Sequence, residues 1–315
     1  MTGLVRDQQR ICGVQARGQP GPITADLVVD ASGATSALGT WLRAVDLPPP
    51  PTVYNQPDER MWYASQWVHQ PAQPPARWWR GAVVNFAFAL PMYPVTGCLF
   101  PVEEQQWVVT LSGPYTQPAD APLQSQDAFN ALLSREFPLL VPVLAHATPS
   151  NEVAVFVAPR YRYRQCDRWP GRPAGILIVG DALWHAPPIL GQGMTLAVLA
   201  ATELRRVLAI HGPSSAMPHA FFTAIRKWDI QSWTICKWFA DQLPRSASAA
   251  MLPPLYFNTT TELVWVAQRD PAVRQRVRQV SNLLVRPDTL FAPDMLARVQ
   301  ADRLLRRYEV ELEAW

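Results

Sequence analysis

A short apolar run followed by a long helical pattern stands out between Ala174 and Leu208. Ile176 to Val179 are apolar and largely β-branched, which is typical of a strand covered on both faces. Gly180 ends this run, and Asp181 follows at the carboxyl end of the predicted strand, where open α/β sheets place ligand-binding groups. Residues 194–208 contain strong helix formers and neither Gly nor Pro, which predicts a helix. The segment is therefore predicted to fold as a strand, a carboxylate-bearing turn and a helix.

A loop rich in proline and glycine joins the predicted strand to the predicted helix. Pro187 and Pro188 stiffen this loop, and Gly191-Gln192-Gly193 lead into the helix. Glycines at a helix start let a ligand approach the free backbone N–H groups, where the helix dipole favours negative charge. Two interpretations stay open: a site for a polyhydroxylated or anionic ligand, with Asp181 accepting from hydroxyl groups, or an ordinary connection in which Asp181 is a cap.

A weaker copy of this pattern occurs near the amino terminus. Ala25 to Asp30 predict a buried strand that ends in an acid, and Gly33 lies in the loop before a short helix predicted over residues 37–45. On pattern alone, this segment is typical of a structural turn with Ser36 as the helix cap.

The residue composition of the chain changes after the proline-rich residues 48–51. The next strands are short and rich in aromatic residues, which predicts an antiparallel sheet over residues 60–113. The predicted strands are Met61–His69, Gly81–Leu90, Thr96–Val102 and Gln106–Ser112, with a turn at residues 103–105. Other predicted elements are a hairpin over residues 4–16, a strand at Glu152–Ala158, and helices at Ser125–Phe137, Ala220–Asp241, Thr260–Gln268, Pro271–Val285 and Pro293–Glu313.

Two aromatic segments have both a structural and a functional interpretation. Arg160 to Arg164 alternate basic and aromatic residues, which favours an edge strand with one solvated face over a groove for an anion or cofactor. Residues 220–241 are dense in aromatic side chains, which favours core packing over a pocket for a large apolar substrate or contact with a membrane surface.

Composition excludes several classes of protein. Hydrophobic residues make up 49% and charged residues 17% of the 315 residues, which indicates a globular chain. The net charge is only +3 and no block resembles a basic nucleic-acid-binding arm, so no nucleic-acid partner is expected. The four cysteines form no C-x-x-C pair, and no apolar run suits a signal peptide or membrane span. These features predict a cytoplasmic protein without a metal site.

The motifs of this chain resemble those of a flavoenzyme family. Gly180-Asp181-Ala182, Pro188 and Gly191-Gln192-Gly193-Met194-Thr195 resemble the second flavin-binding motif of FAD-dependent monooxygenases of the para-hydroxybenzoate hydroxylase type. Residues 25–36 are similar to the middle motif of that family. A bacterial branch of hydroxylases and epoxidases, related to squalene epoxidase, has these motifs in the same order. Its tail motif matches here as Arg269-Asp270-Pro271 and Leu290-Phe291-Ala292-Pro293.

The resemblance implies an α/β (α+β) fold. It consists of an FAD-binding Rossmann-like domain, incomplete here, with an inserted antiparallel substrate sheet and a C-terminal helical region. The expected segments are residues 1–47 for the first part of the FAD domain, 48–158 for the substrate sheet, 159–212 for the return of the FAD domain and 213–315 for the helical region.

The resemblance also implies roles for individual residues. Asp181, after Gly180, would bind the ribityl hydroxyls of FAD, and Pro188 would pack near the flavin ring. The N–H groups around Gly191, Gln192, Gly193 and Met194 would stabilise the anionic reduced flavin. Asp30 and Gly33 would lie near the phosphate and ribose of the cofactor. His185 is a weak catalytic candidate that could face the substrate, although a surface-loop histidine is the favoured interpretation.

The implied reaction belongs to the flavin. NAD(P)H would reduce FAD, oxygen would form a C4a-hydroperoxide, and a small apolar or aromatic substrate would be hydroxylated or epoxidised. Two alternatives stay open: reduction of an isoprenoid double bond, as in geranylgeranyl reductases, and a non-enzymatic fragment that binds a partner. Flavin-dependent halogenases are disfavoured, because no W-x-W-x-I-P segment occurs. Peripheral contact with the inner membrane also stays open.

One motif of the family has no counterpart in this sequence. The family begins with a strand and a G-x-G-x-x-G turn that hold the FAD pyrophosphate. No such motif precedes Asp30, and the only G-x-G is Gly191-Gln192-Gly193. The chain is therefore expected to be N-terminally truncated, or to be completed by a separate chain that supplies the G-x-G-x-x-G half.

Overall fold

The computed structural model describes residues 1–54, 60–72, 82–84, 95–115, 125–186, 191–242 and 259–313 of the chain. Its contacts divide the chain into two compact units, each assembled from two separate segments. The first unit contains Met1–Pro57 and Pro159–Trp238, and the second contains Asp58–Ala158 and Phe239–Trp315.

Strands predominate up to His185 in the described residues, and helices follow from Gly193 onward. The strands are β1 (Gly3–Asp7), β2 (Arg10–Gln15), β3 (Ile23–Thr24), β4 (Val28–Asp30), β5 (Thr52–Tyr54), β6 (Arg60–His69), β7 (Ala82–Val84), β8 (Thr96–Val102), β9 (Gln106–Tyr115), β10 (Thr148–Pro149), β11 (Ala154–Val157), β12 (Arg162–Arg164), β13 (Ile176–Ile178) and β14 (Trp184–His185). The α-helices are α1 (Leu38–Ala44), α2 (Gln126–Glu136), α3 (Val141–Leu144), α4 (Gly193–His211), α5 (Met217–Gln242), α6 (Thr259–Arg269), α7 (Pro271–Ser281) and α8 (Pro293–Glu313).

The first unit is built on a hairpin and a parallel pair of strands. β1 and β2 pair antiparallel, which confirms the hairpin predicted over residues 4–16, and β3 adds to β2. β4 and β13 pair in parallel, with Asp30 opposite Ile178. Residues 176–178 are fully buried, as their apolar pattern predicts. Because parallel neighbours end at the same edge, the loops after Asp30 and Ile178 leave the sheet side by side.

A three-stranded sheet in the order β14-β12-β5 also belongs to the first unit. In its register, Arg162 of the central strand β12 lies opposite His185 of β14 and Tyr54 of β5. Tyr163 and Arg164 are buried. The interpretation of residues 160–164 as an edge strand with a solvated face is therefore wrong, because β12 has a neighbour along each edge.

The division into units differs from the expected segments at two places. β5 pairs with β12, so its residues belong to the first unit, whereas the sequence assigns residues 48–158 to the substrate sheet. Most of α5 also belongs to the first unit, whereas the sequence predicts one helical region over residues 213–315. The Trp233 ring of α5 is buried, with its centroid 5.9 Å from that of Tyr163, and this packing holds the helix in the first unit.

The antiparallel sheet predicted over residues 60–113 forms the centre of the second unit. Its strand order is β10-β6-β9-β8-β7, and β11 pairs with β6 as well. Helix α2 contributes Phe129 to the same buried cluster as Trp107 of β9. The Phe137 ring, directly after α2, requires a glycine at position 97, because a Cβ there would lie 2.8 Å from the ring. Sheet and helix therefore share one apolar core.

Three helices close the second unit at the positions that the sequence predicts. Glu262 of α6 accepts from the Arg303 guanidinium of α8, with Nε and Oε1 separated by 2.8 Å. Asp270 caps α7, because its Oδ1 accepts from the Ala272 N–H over 2.8 Å. The other carboxylate oxygen accepts from Arg298 Nη1 over 2.7 Å.

Sheets and helices together confirm the predicted α/β (α+β) class, with an antiparallel sheet and C-terminal helices in the second unit. Among the described helices, none combines the length and the apolar character that a membrane crossing requires.

Candidate functional site

The carboxyl ends of β4 and β13 bring together the two acid-bearing loops of the sequence pattern. Asp30 is the last residue of β4, and Asp181 lies in a 3-10 turn, Gly180–Ala182, shortly after β13. The Val179 N–H donates to the Asp30 carbonyl oxygen over 3.0 Å. The two loops therefore start side by side, although they are far apart in sequence.

Asp30 is buried, and residues of its own loop bind its carboxylate. The Ser32 N–H donates to Oδ1 over 3.0 Å, and the Ser36 hydroxyl donates to Oδ2 over 2.6 Å. Ser36 Oγ also accepts from the Leu38 N–H over 3.3 Å at the first residue of α1, although Ala37 occupies the cap position itself. The Asp30 carboxylate thus orders this loop.

Gly33 leaves the same loop open to its surroundings. Its φ is +79°, and a Cβ at this position would meet no atom within 4 Å. A cofactor contact from this loop would therefore come from the backbone around Gly33, since the Asp30 carboxylate is already bound within the protein.

Arg164 joins the two acid-bearing loops. It is buried, and its Nη1 lies 3.9 Å from Asp30 Oδ2. Its guanidinium donates to the Ser36 hydroxyl over 3.0 Å and to the Ser36 carbonyl over 3.2 Å. It also donates to the Ala182 carbonyl in the other loop. Burial lowers the pKa of Arg164, and the nearby Arg162 charge lowers it further, while Asp30 opposes the shift.

Asp181 differs from Asp30 because its side chain is 46% exposed. Its Oδ2 lies 3.3 Å from His185 Nδ1, which donates because an ionised carboxylate only accepts. Its Oδ1 lies 3.8 Å from the point where a Cβ on Gly193 would be. The carboxylate therefore has an open side that faces the start of α4.

The start of α4 lacks a side-chain cap within the described part of the chain. Gln192 at the cap position makes no side-chain cap hydrogen bond, and no acidic residue lies in the first turn of the helix. Gly191 has φ +62° and open space around its Cβ position, and Met194 is 83% exposed. Gln192, by contrast, is buried. The first amides of a 19-residue helix thus lie beside Asp181 with the helix dipole behind them.

Two further predicted residues have different outcomes. Gly180 has φ +58°, and its Cβ position lies 3.9 Å from Ala197 of α4, so this glycine permits the tight turn that holds Asp181 against the helix. Pro188, with the neighbouring Pro187, lies outside the described residues.

His185 lies on β14, and its side chain is only 12% exposed. The interpretation as a surface-loop histidine is therefore wrong. The Tyr161 ring lies against it, with ring centroids 5.3 Å apart. Pairing with β12 and the Asp181 carboxylate fix this ring beside the candidate site.

Sequence reasoning missed the separate roles of Arg162 and Arg164. Both arginines lie in the alternating run after Arg160, and a spacing of two residues puts them on one face of a strand. That spacing was the available signal. The spacing alone does not show that β12 is a central strand, which follows from its pairing with β14 and β5.

The burial of most of the described aromatic side chains of α5 agrees with the core-packing interpretation of this helix. Phe221 and Phe222 of α5 are buried and contact each other edge to face, with centroids 5.3 Å apart. Trp228 is half-buried, and the Lys227 ammonium lies 4.9 Å from its ring centroid. The side chains of Trp238 and Phe239 lie outside the described residues.

Comparison with known proteins gives one relative by sequence. No family model matches the chain. The chain is 34% identical over 215 residues to Protein Rv3254 of Mycobacterium tuberculosis (strain ATCC 25618 / H37Rv). The match covers 64% of this chain and 43% of the relative, so the chain spans less than half the length of this relative.

Comparison of structures shows the fold. The chain is similar to flavin-dependent brominase Bmp2, with TM-score 0.63 and 13% identity over 98% of this chain and 70% of that one. It is similar to OxyS anhydrotetracycline hydroxylase from Streptomyces rimosus, with TM-score 0.57 and 18% identity over 90% and 52%. A myxobacterial chondrochloren halogenase, CndH, matches with TM-score 0.54 and 16% identity over 89% and 67%. The chain therefore has the fold of these flavin-dependent halogenases and hydroxylases.

Proposed function

We propose that this chain is part of an FAD-dependent oxidoreductase of the monooxygenase type, acting on a small apolar or aromatic substrate. One observation carries the proposal: in a fold shared with flavin-dependent enzymes, the half-exposed Asp181 carboxylate lies against the uncapped start of α4. A carboxylate beside free helix amides suits a ligand that carries both hydroxyl groups and an electron-rich ring edge.

The described residues fit the flavin end of FAD. Asp181 would accept from ribityl hydroxyls on its open side, and the amides from Gly191 to Met194 would donate to the ring edge. Glycine at positions 191 and 193 supports this, because neither puts a side chain over the amides or the carboxylate. When bound, the flavin would take electrons from NAD(P)H and use oxygen to hydroxylate or epoxidise the substrate. The protein would orient the ring, exclude water and stabilise negative charge on it.

Flavin binding and oxygen consumption test this proposal directly. The purified chain is titrated with FAD and followed by the change in flavin absorbance and fluorescence. NADPH oxidation is then measured with and without apolar aromatic compounds, together with oxygen uptake. Substrate-stimulated, oxygen-dependent NADPH oxidation supports a monooxygenase. Turnover that continues without oxygen supports the reductase alternative, and a chain that binds no flavin in any preparation contradicts the proposal.

Halogenation is the second candidate, because a brominase and two halogenases are among the proteins of similar fold. The sequence speaks against it, since it contains no W-x-W-x-I-P segment. Supplying reduced FAD, oxygen and bromide with an electron-rich aromatic compound separates the two reactions. A brominated product favours the halogenase, and a hydroxylated product favours the monooxygenase.

We propose further that a separate βαβ segment with G-x-G-x-x-G completes the FAD site of the first unit. The parallel pair β4 and β13 has no third strand among the described residues. Apolar side chains of the same unit are exposed: Val29 of β4 is 38% exposed, and Met194 and Val198 of α4 are 83% and 65% exposed. Added parallel strands and their helix would cover such surfaces.

Cofactor preference tests this completion. If the adenylate end of FAD is held elsewhere, the chain alone should bind FAD about as weakly as FMN, which lacks the adenylate. A strong preference for FAD over FMN by the chain alone would contradict the need for a separate segment, without affecting the proposal that the chain binds flavin.

A further inference from the structure

The face of the β14-β12-β5 sheet that carries Arg162 has a charge pattern that flavin binding does not account for. Side chains alternate along a strand, so Arg162 and Arg164 of β12 lie on one face. Residues directly opposite in register share that face, which places His185 and Tyr54 beside Arg162. Two cations and a histidine therefore occupy one side of a small sheet.

The two arginines have opposite surroundings. Arg164 donates to two oxygens of Ser36 and to the Ala182 carbonyl, and it lies near Asp30. Arg162 has its Nε and Nη2 atoms fully buried, and neither has a hydrogen-bond partner within the described part of the chain. Arg164 thus connects the two acid-bearing loops, whereas Arg162 has two donors that bind no acceptor in the described part of the chain.

Two buried N–H donors without acceptors are costly to a folded protein. Burial lowers the pKa of Arg162, although electrostatic interactions with Tyr54, Asp30 and Asp181 oppose this shift. Buried N–H groups without acceptors lose their hydration and gain nothing in return. An acceptor that enters from outside the chain would recover that loss.

The positions of the two free donors specify the acceptor. Nε and Nη2 form one edge of the planar guanidinium and point in parallel. This edge matches two oxygens of a carboxylate or phosphate, which accept two parallel hydrogen bonds. A single spherical ion could accept only in a bent geometry, so the edge favours an oxyanion.

His185 adds a second polar atom on the same face. Its Nδ1 donates to Asp181, while its Nε2 is buried without a partner among the described residues. In the neutral ring Nε2 accepts from a hydroxyl of the ligand, and in the protonated ring it donates to an oxygen. Either form complements an oxyanion that is held by Arg162.

We propose that Arg162 and His185 form an oxyanion subsite on this sheet face, which takes the carboxylate or phosphate group of a ligand. The subsite uses none of the atoms assigned to the flavin ring, because Asp181 contributes only the oxygen that orients His185. It is therefore testable in the absence of flavin.

Binding of flavin-free oxyanions is the first test. Inorganic phosphate and benzoate are titrated into the full chain by calorimetry and by thermal unfolding. At least one of them should bind and raise the melting temperature. Arg162→Lys, which keeps the charge but loses the paired edge, should weaken that binding at least tenfold. Arg168→Gln, an exposed arginine of the same unit, is the matched control and should bind like the wild type. Failure of both probes to bind, or equal binding by Arg162→Lys, overturns the proposal.

Stability separates this role from a structural one. Arg162→Gln removes two buried donors that lack partners, so its melting temperature without ligand should equal or exceed that of the wild type. Arg164→Gln should melt at a clearly lower temperature, because it loses bonds to both loops. If Arg162→Gln lowers the melting temperature as much as Arg164→Gln does, Arg162 is a structural partner and the proposal is overturned.

The source of the oxyanion is decided by comparing FMN with riboflavin, which differ by one phosphate. If Arg162→Lys weakens the binding of FMN but not the binding of riboflavin, the subsite holds a cofactor phosphate. If the substitution weakens the binding of benzoate and leaves the affinity for FMN unchanged, the subsite holds a substrate carboxylate. A chain that binds phosphate or benzoate through Arg162 but no flavin would contradict the proposed function and leave the subsite standing.

Discussion

Arg164 holds the two acid-bearing loops together through atoms of both. It reaches Ser36 and Asp30 after β4 and the Ala182 carbonyl after β13. The Asp30 side chain beneath it is only 1% exposed. Loss of the guanidinium would leave this carboxylate with its charge buried and its loop detached.

Arg164→Met should therefore lower the free energy of unfolding by about 3–5 kcal/mol, the typical effect of removing one partner of a buried ion pair. Urea denaturation measures the change. Arg168→Met, at an exposed position in the same unit, should stay within about 0.5 kcal/mol of the wild type. Equal effects of the two substitutions would show that Arg164 does not tie the loops.

Asp181→Ala should weaken flavin binding by about 1–3 kcal/mol, or roughly 5- to 150-fold in Kd, because ribityl hydroxyls would lose their acceptor. Flavin fluorescence titration measures Kd. Asp26→Ala removes an exposed acid from the same unit and serves as the control. An unchanged Kd in Asp181→Ala would place the flavin elsewhere.

The sequence reveals Asp181 more readily than the arginines, for a physical reason. Asp181, Gly191 and Gly193 are close along the chain, so their spacing alone places them around a strand end and a helix start. Arg162 and Arg164 acquire their roles from β14, β5 and the loop at Ser36. Such partners depend on tertiary structure, which local spacing does not encode.

At the scale of elements, Gly193 at the start of α4 affects both the packing of the helix and the access of a ligand to Asp181. An Ala at position 193 would place its Cβ 3.8 Å from Asp181 Oδ1, an ordinary contact that the folded chain tolerates. The same methyl group would cover the face of the carboxylate that is open to a ligand. Stability and flavin affinity should therefore respond differently to one substitution.

Gly193→Ala should leave the melting temperature unchanged or slightly higher, because Ala is the better helix former, while flavin Kd rises several-fold. Gly39→Ala in α1 is the matched control, since its Cβ would also meet only atoms beyond 3.6 Å, the nearest being Arg43 at 3.7 Å. The control should leave flavin affinity unchanged. Equal flavin affinity in both variants would indicate that the ligand does not approach Gly193.

The cap of α7 makes part of the stability depend on pH. The pKa of Asp270 is lowered from its ordinary value by the hydrogen bond from Arg298 and by the N–H groups of Ala272 and Val273, while desolvation opposes the shift. A carboxyl with a lowered folded-state pKa stabilises the protein above its unfolded-state pKa. That stability is lost as pH falls through the folded-state value.

Asp270→Asn, which keeps a capping oxygen but not the charge, should be less stable than the wild type at pH 7, and the difference should vanish in acid below the ordinary carboxyl range. Denaturant unfolding at a series of pH values measures it. Asp288→Asn is the control, with a side chain 62% exposed. A difference that stays constant with pH would contradict a charged cap.

Length decides which elements the sequence predicts. The helices α2 and α8 and the strands β6, β8 and β9 span enough residues for a periodic pattern, and their positions match the predictions closely. β5 and β12 have only three residues each, too few for any period to show. Their pairing is set by the chain around them, so the local pattern of β12 does not distinguish a central strand from an edge strand.

At the scale of the whole molecule, a bound cofactor should stabilise the folded chain. A ligand that binds only the folded state, at about 100 times its Kd, adds about 2.7 kcal/mol to the free energy of unfolding. Scanning calorimetry with FAD should therefore show a higher melting temperature, with a smaller rise in Asp181→Ala at the same concentration. A rise of equal size in both would contradict binding at Asp181.

The fold of the chain is similar to that of known flavin-dependent enzymes even where the sequence identity to them is low. Identities of 13% and 18% to Bmp2 and OxyS lie beside TM-scores of 0.63 and 0.57. Short motifs at the strand ends suffice to predict the class, because they are constrained by backbone geometry. The division into units is less predictable, since it depends on which distant segments pair.

The pairing of β4 with β13 also determines when the first unit can fold during synthesis. Asp30 pairs with Ile178, and Arg164 reaches Ser36 across 128 positions of sequence. A ribosome that adds 5–20 residues per second needs roughly 7–30 s to synthesise the chain between the two strands. During that interval β4 is without its parallel neighbour and without Arg164, while the intervening antiparallel sheet can already form. Until the return segment has been synthesised, β4 therefore presents an unpaired strand edge to other chains.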